Sequence, residues 1–229
     1  MDQASAELRW GKPISNFAQK AAVARRLTGM IEGARTISVG SGSTSFLTIC
    51  EIAAAPNAKA MRFITTSFEI EAVCLSFGLE CVGLNAGVAD VAFDGADEID
   101  PAGNLIKGRG GAFFMEKLAL QNAARRIIVA DPSKKVAVLG ERMPLPIEVV
   151  PIAAHSVMAG LARQHPGSRA DIRMDKGSDS PTYTPRGNII VDLRAARIDT
   201  ASHAAMKSLP GVLESGYFPF DDFEFLIGD

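Results

Sequence analysis

Four carboxylates crowd into the segment FDGADEID, residues 93–100, which continues the apolar run GVADVAF. These carboxylates are Asp94, Asp97, Glu98 and Asp100. Carboxylates at the end of a buried strand can bind sugar hydroxyls and move protons, or can hold Mg²⁺ together with water. They can also form a solvated acidic turn without any chemical role. The segment taken alone leaves these three interpretations open.

A lysine and a glutamate follow the acidic segment. Lys107 precedes the glycines of the sequence GRGG, and Glu116 and Lys117 interrupt the apolar run from Ala112 to Leu120. The glycines predict a pliable loop that closes over a ligand. Apolar surroundings make a carboxylate a stronger base, so Glu116 is a candidate for removing a proton next to a carbonyl group. The alternative is that Glu116 and Lys117 emerge on the solvent face of a helix.

The charge of Lys107 bears on the three interpretations of the acidic segment. An enolate oxygen that forms during proton transfer needs a positive charge nearby, and Lys107 could supply it in place of a metal ion. This pairing favours hydroxyl binding and proton transfer without a metal over a Mg²⁺ site.

A glycine-rich turn, GSGST at residues 40–44, stands between a predicted strand and a predicted helix. Its backbone N–H groups and its hydroxyls suit a phosphate, although a plain capped turn is the alternative. Ser45 stands where a dinucleotide fingerprint has its third glycine, and the Gly-Lys-Ser/Thr ending of a nucleotide-binding loop is absent. Lys134 or Lys135, in ADPSKK after another strand, could also hold phosphate or could simply be solvated.

Short apolar strands alternate with helices through the first part of the chain. This order predicts an α/β fold, a Rossmann-like parallel sheet domain with helices on both faces, built from residues 1–138 and 219–229. Ligands bind such sheets at the carboxyl ends of the strands, where GSGST, DGADE and ADPSKK lie. The proline-rich stretch MPLPIEVVPIA then begins a smaller α+β domain, residues 139–218, in which VLESGYF is the final strand.

The bulk composition excludes several classes of protein. A net charge of −2 over 229 residues gives no basic field for nucleic acid or an anionic membrane. Charges interrupt every apolar run before a membrane span is reached, and the first ten residues lack the apolar core of a signal peptide. Three cysteines without metal-ligand spacing predict reduced core thiols, and a cytoplasmic location is expected.

Six motifs occur in order along the chain: GSGST, DGADEID, IKGRGG followed by Glu116, ADPSKKV, PLPIEVVPIA and LPGV. From about residue 16 to residue 218, this ordered set resembles the ribose-5-phosphate isomerase type A family. The resemblance implies interconversion of ribose 5-phosphate and ribulose 5-phosphate in the pentose phosphate pathway. It also implies that the enzyme uses neither a metal nor an organic cofactor, and that it is a homodimer or homotetramer.

The resemblance also assigns roles. Glu116 matches the base, Asp94 and Asp97 match aspartates that bind sugar hydroxyls and assist ring opening, and Lys107 matches the lysine that stabilises the oxyanion. The implied substrate-binding residues are Ser41, Gly42, Ser43, Thr44, Gly95, Ala96, Gly108, Arg109, Gly110 and Lys134, with Lys20 added on weaker local similarity.

This sequence departs from the family pattern in three places. Met115 stands where an arginine is common, Phe114 replaces a smaller residue, and the ending PFDDFEFLIGD is shorter than usual, so that only FEFLI could add a C-terminal strand. Two other functions remain as alternatives. An amino-sugar phosphate deaminase is expected to use a histidine, but all three histidines lie in the second predicted domain. A non-catalytic sugar-phosphate sensor is expected to carry a DNA-binding module or a basic patch.

Overall fold

A computed structural model describes residues 1–228, and these residues form two compact units. The first unit comprises Met1–Gly95, Met115–Pro132 and the residues from Asp222 onward. The second comprises Ala96–Phe114 and Ser133–Asp221.

This division differs from the predicted domains, because residues 96–114, 133–138 and 219–221 belong to the second unit. Strand pairing explains part of the difference. The short strand Leu105–Ile106 pairs with Glu98–Ile99 and with Tyr217–Phe218, so the acidic segment is joined to the second unit beyond Gly95.

The helices and strands are numbered along the chain. The helices are α1 Gln3–Trp10, α2 Phe17–Met30, α3 Ser43–Ala53, α4 Phe68–Ser76, α5 Phe113–Gln121, α6 Ala154–Gln164 and α7 Thr200–Lys207. The strands are β1 Thr36–Val39, β2 Arg62–Thr65, β3 Glu80–Val82, β4 Ala89–Gly95, β5 Glu98–Ile99, β6 Leu105–Ile106, β7 Ala123–Ala130, β8 Leu145–Val149, β9 Arg169–Ile172, β10 Ile189–Arg194, β11 Val212–Ser215, β12 Tyr217–Phe218 and β13 Glu224–Ile227.

The first unit is built on a six-stranded sheet in the order β13-β7-β4-β1-β2-β3, and every pairing in it is parallel. The central strand β1 is buried along its whole length, as expected of a parallel strand covered on both faces. The predicted α/β class is therefore confirmed. The segment FEFLI does supply a C-terminal strand, β13, which pairs with β7 at the edge of the sheet.

Local sequence signals set the ends of the elements around this sheet. Helix α4 begins where the Ser67 side chain accepts a hydrogen bond from the backbone of Ile70, which caps the helix. The chain then turns at Gly78, whose φ of 65° lies in the left-handed region that glycine tolerates.

The second unit contains a four-stranded antiparallel sheet, β11-β8-β10-β9, and a three-stranded sheet, β12-β6-β5. The prediction of one continuous strand VLESGYF was wrong, because Gly216 divides it between these two sheets. Gly216 donates its N–H to the Pro146 carbonyl and accepts the Lys107 N–H. A side chain there would lie 2.1 Å from the Lys107 carbonyl oxygen, so the bend requires glycine.

No helix among residues 1–228 is long and apolar enough to cross a membrane. The three cysteines are free thiols, with Cys50 and Cys74 buried and Cys81 half-buried. Burial raises the pKa of Cys50 to about 11 and also raises the pKa of Cys74. Thiols with raised pKa values are poor nucleophiles, which agrees with a packing role.

Candidate active site

The glycine-rich turn lies at the carboxyl end of β1, as the sequence predicts. Gly42 is the N-cap residue of α3 with a φ of 102°, and as a glycine it has no side chain to cap the helix. The N–H groups of a helix start carry unpaired donors and a positive potential, so this turn can receive an anion. Ser41, Ser43 and Thr44 are half-buried along the turn, and the hydroxyls of Ser43 and Thr44 can add further donors.

Lys20 reaches this turn from α2. Its Nζ donates to Ser43 Oγ at 3.0 Å and to Ser15 Oγ at 3.2 Å. The ammonium therefore lies beside the start of α3, where its charge adds to the helix dipole. The weakest of the sequence assignments thus falls on a residue that contacts the predicted turn.

Glu116 contacts the same turn through its side chain. The Ser41 hydroxyl donates to Glu116 Oε1 at 2.6 Å, and Glu116, in α5, is only 3% exposed. The alternative that Glu116 emerges on the solvent face is wrong, and Lys117 is buried as well. A buried carboxylate held in one orientation by a hydroxyl is suited to act as a base.

Asp94 ends β4 next to the turn, and a glycine makes room for it. A Cβ added to Gly40 would lie 1.9 Å from Asp94 Cγ, while the Gly40 N–H donates to the Phe93 carbonyl. Asp94 is 3% exposed, and its Oδ1 accepts the Gly95 N–H at 2.7 Å. Gly40 was missing from the predicted site, although its place in GSGST is the sequence signal that could have identified it.

The second unit holds Asp97 and Lys107. The backbone N–H of Asp97 donates to the Ile106 carbonyl, which places the two segments side by side. Lys107 is 3% exposed, and its Nζ lies 5.5 Å from the centroid of the Phe218 ring. An ammonium held inside the protein interacts strongly with any negative charge that forms near it, because the surroundings screen it little.

The loop after Lys107 is less pliable than its glycines suggest. The Gly111 N–H donates to the Gly108 carbonyl, and the Arg109 N–H donates to Asp97 Oδ2 at 3.0 Å. Gly108 has a φ of 110°, and a Cβ there would lie 2.5 Å from the Phe113 ring. Arg109 and Gly110 are exposed at the outer end of the loop, while Gly108 and Gly111 are buried.

Glu98 and Asp100 serve local structure. Glu98 is fully buried, and its carboxylate accepts the backbone N–H groups of Gly140, Arg142 and Met143 at 2.6–2.7 Å. Asp100 accepts from the backbone and the side-chain amide of Asn104, as expected of a turn residue. The four carboxylates of the acidic segment therefore have different surroundings and are not equivalent.

Lys134 ends a short 3₁₀ turn, Pro132–Lys134, and is half-buried. The next residue, Lys135, forms a parallel bridge with Ile99 of β5, and the Val136 N–H donates to the Ile99 carbonyl. Lys134 thus lies in a segment that is attached to the acidic segment within the second unit. Ala96, the remaining predicted residue, is buried directly before Asp97.

Two further observations concern sites of other kinds. Within residues 1–228, no three or more His, Cys, Asp and Glu side chains are grouped so that they could hold a metal ion. A pocket of about 350 Å³ in the first unit lies at the opposite end of the sheet, next to Asp90 and Arg125 near the starts of β4 and β7. It is lined by none of the predicted site residues.

The first unit places a buried carboxylate beside a turn that can receive an anion. This arrangement is suited to proton transfer on a phosphorylated small molecule. Fold and site together define an α/β metabolic enzyme. The chain belongs to the ribose 5-phosphate isomerase A (phosphoriboisomerase A) family, whose model matches residues 62–228.

Individual relatives agree with this assignment. The ribose-5-phosphate isomerase A of Thermococcus kodakarensis is 36% identical over 205 residues, which cover 87% of this chain and 89% of the relative. The ribose-5-phosphate isomerase A of Treponema pallidum is 36% identical over 223 residues, which cover 90% of this chain and 87% of the relative.

Solved structures show the same fold. Ribose 5-phosphate isomerase A from Methanocaldococcus jannaschii superimposes with a TM-score of 0.87 at 33% identity, covering 94% of this chain and 96% of the other. A D-ribose-5-phosphate isomerase in complex with phospho-erythronic acid gives a TM-score of 0.86 at 32% identity, with the same coverage.

Proposed function

We propose that this protein is an aldose–ketose isomerase that interconverts D-ribose 5-phosphate and D-ribulose 5-phosphate, in the non-oxidative branch of the pentose phosphate pathway. The observation that carries the proposal is the buried Glu116 carboxylate fixed by the Ser41 hydroxyl, in a chain of this family. Isomerisation of an aldose requires one base that serves two neighbouring carbons.

Glu116 is the base in this proposal. It removes the C2 proton of the open-chain aldose, the C–H electrons form a C1=C2 double bond, and the C1 carbonyl oxygen becomes an oxyanion. A proton passes from the C2 hydroxyl to the oxygen on C1, and Glu116 returns its own proton to C1. The C2 ketone then forms, and the reaction needs no external oxidant or reductant.

Lys107 stabilises the oxyanion of the enediolate. A buried ammonium is favourable here because the charge develops only as the proton leaves, so the interaction is stronger in the transition state than in the bound substrate. Asp94 and Asp97 bind the sugar hydroxyls and assist ring opening. The proposed chemistry uses neither a metal nor an organic cofactor.

The phosphate is the group that anchors the substrate. Lys20 and the first turn of α3 supply positive potential, and the Ser43 and Thr44 hydroxyls supply donors. Lys134 is proposed as a further substrate-binding lysine. The other residues proposed to contact the substrate are Ser41, Gly42, Ser43, Thr44, Gly95, Ala96, Gly108, Arg109 and Gly110.

The proposed enzyme is cytoplasmic and assembles as a homodimer or homotetramer. Its buried thiols and the absence of a basic field for nucleic acid agree with this setting. Light scattering on the purified protein distinguishes dimer from tetramer, and a monomer would contradict the proposed assembly.

An assay of the purified protein on ribose 5-phosphate tests the function, with ribulose 5-phosphate detected and other aldose phosphates as controls. Glu116→Gln should lower kcat by at least about a hundredfold, because it removes the base. Calorimetric titration should show that this variant still binds ribose 5-phosphate.

Glu80→Gln, at an exposed position in β3, is the matched control and should retain full activity. An active Glu116→Gln enzyme would refute the assignment of the base. A wild-type protein without activity on ribose 5-phosphate would refute the proposed function.

A further inference from the structure

Arg173, directly after β9, is tied to the loop that carries Lys107. Its Nη1 donates to the carbonyl oxygens of Gly108 and Arg109 at 2.9 and 3.0 Å. All of these residues belong to the second unit. This contact could not be predicted, because Arg173 lies outside every motif of the site.

The guanidinium is held in place from its other side. Arg173 Nε and Nη2 donate to the two carboxylate oxygens of Asp192, in β10, at 2.8 and 2.5 Å. The two side chains are only 18% and 21% exposed, so this is a two-point ion pair largely shielded from water. Such pairs have a fixed geometry as well as a favourable energy.

The loop is thereby fastened on both sides of one residue. The Arg109 N–H donates to Asp97 Oδ2, and the Arg109 carbonyl oxygen accepts a hydrogen bond from Arg173. The backbone of Lys107 is fixed as well, since its N–H donates to the Gly216 carbonyl at 2.9 Å. A loop with three glycines in four residues has many accessible conformations, and these contacts select one of them.

We propose that Arg173 is a positioning residue that, oriented by Asp192, fastens the Gly108–Arg109 backbone and thereby sets the place of the Lys107 ammonium. This inference rests on the proposed role of Lys107 as the group that stabilises the oxyanion. Small displacements of such a group reduce the rate more than they reduce substrate binding, since its interaction belongs to the transition state.

Lysine cannot replace arginine in this arrangement. The guanidinium presents donors in a planar fork, so it can bind a carboxylate with one edge and two carbonyls with the remaining nitrogen. An ammonium is a single point with three donors on a flexible stem. Arg173→Lys therefore keeps the positive charge but removes the planar fork of donors.

The test compares Arg173→Lys with Arg169→Lys. Arg169 lies in β9 and pairs with Asp171, but both side chains are exposed and neither contacts the loop. Arg173→Lys should lower kcat by about tenfold or more while KM for ribose 5-phosphate changes by less than about threefold. Arg169→Lys should match the wild type in both.

A double variant tests whether the effect passes through Lys107. In a Lys107→Met background, Arg173→Lys should cause no further loss of kcat, because residues that act as a unit are not additive. A further loss as large as in the wild-type background would overturn the inference. Equal kcat in Arg173→Lys and Arg169→Lys would also overturn it.

Hydrogen exchange tests the fastening without any assay of activity. The amides of residues 108–111 should exchange faster in Arg173→Lys than in Arg169→Lys, and unchanged exchange would overturn the inference. If the wild type does not isomerise ribose 5-phosphate, the proposed function fails, but this comparison still decides whether Arg173 holds the loop. Asp192→Asn serves as the second variant if Arg173→Lys does not fold, and it should raise exchange in the same segment.

Discussion

Ser41 and Glu116 are 75 positions apart in the chain, yet the serine hydroxyl donates to the glutamate carboxylate at 2.6 Å. The serine stands in the turn after β1 and the glutamate in α5, so the sheet brings a loop and a helix to the same place. A carboxylate that must give a proton back to a neighbouring carbon has to keep its orientation, and the Ser41 hydroxyl contributes to that restraint.

Ser41→Ala should therefore impair turnover without unfolding the protein. A hydrogen bond to a charged group contributes about 1.5–3 kcal/mol, so kcat should fall by roughly tenfold to a hundredfold. Steady-state kinetics on ribose 5-phosphate measure this change, and circular dichroism checks the fold. Unaltered kcat would show that the hydroxyl does not orient the base.

Gly40→Ala should damage both stability and activity. The added Cβ would lie 1.9 Å from Asp94 Cγ, so either the turn or the aspartate must move. Overpacking of this kind costs about 1–3 kcal/mol, which urea denaturation measures.

Gly29→Ala is the matched control for Gly40→Ala. Gly29 lies inside α2, and nothing surrounds its Cβ position within 4 Å. Alanine should stabilise the helix there by about 0.5–1 kcal/mol. If Gly40→Ala behaves like this control, the close packing against Asp94 is not a constraint on the site.

Turnover should persist in excess EDTA. The proposed mechanism places the charge of Lys107 where another isomerase would use a metal ion, so removal of divalent cations has no step to affect. The protein should be dialysed against EDTA, and ribulose 5-phosphate should then be detected with coupling enzymes that need no metal ion. Activity that disappears and then returns with Mg²⁺ would revive the metal interpretation of the acidic segment.

Asp90 gives the stability a pH dependence that is separate from the site. Its carboxylate accepts the backbone N–H groups of Arg35 and Thr36 at 2.7 and 2.9 Å, and the Thr36 and Arg35 hydrogen bonds lower its pKa below the usual 3.8. A lowered folded pKa contributes stability above the unfolded value, and this contribution is lost as the pH falls through the folded value.

Asp90→Asn should therefore be less stable than the wild type at pH 7, and the difference should shrink as the pH falls below about 4. Urea denaturation at a series of pH values from 7 to 3 measures the two curves. A difference that stays constant over this range would show that the carboxylate charge makes no contribution.

The sheet of the first unit could be predicted because its signals are local. Each central strand is a short apolar run bounded by glycines or capping residues, and strand β13 was found from FEFLI. Helix α1 was not predicted, although Asp2 accepts a hydrogen bond from Ser5 and caps it.

The second unit was harder to predict because its pairing is not local. Strands β5 and β6 have two residues each, which is too short for any periodic pattern. Strand β8 contains Pro146, within the stretch that is proline-rich in the sequence, and it lies between β11 and β10 in the sheet. Proline normally disfavours an interior strand, so tertiary pairing has overridden the local signal.

The residues of the candidate site also divide into those with a local sequence signal and those without one. Motif positions predicted Glu116, Asp94, Lys107 and the turn, since each lies at a strand end or after a glycine cluster. Gly40 and Arg173 were not among the predicted residues. Gly40 stands in the GSGST motif, but its close approach to Asp94 is visible only in the structure, and Arg173 lies outside every motif and contacts residues distant in the chain.

Strand β13 has a consequence for the chain as it leaves the ribosome. It completes the sheet of the first unit, but it is synthesised after the whole of the second unit. Until then the outer edge of β7 presents unpaired backbone groups, which are a template for wrong pairing with another chain. A chain that ends before residue 224 would lack β13 and would keep this edge of β7 exposed permanently.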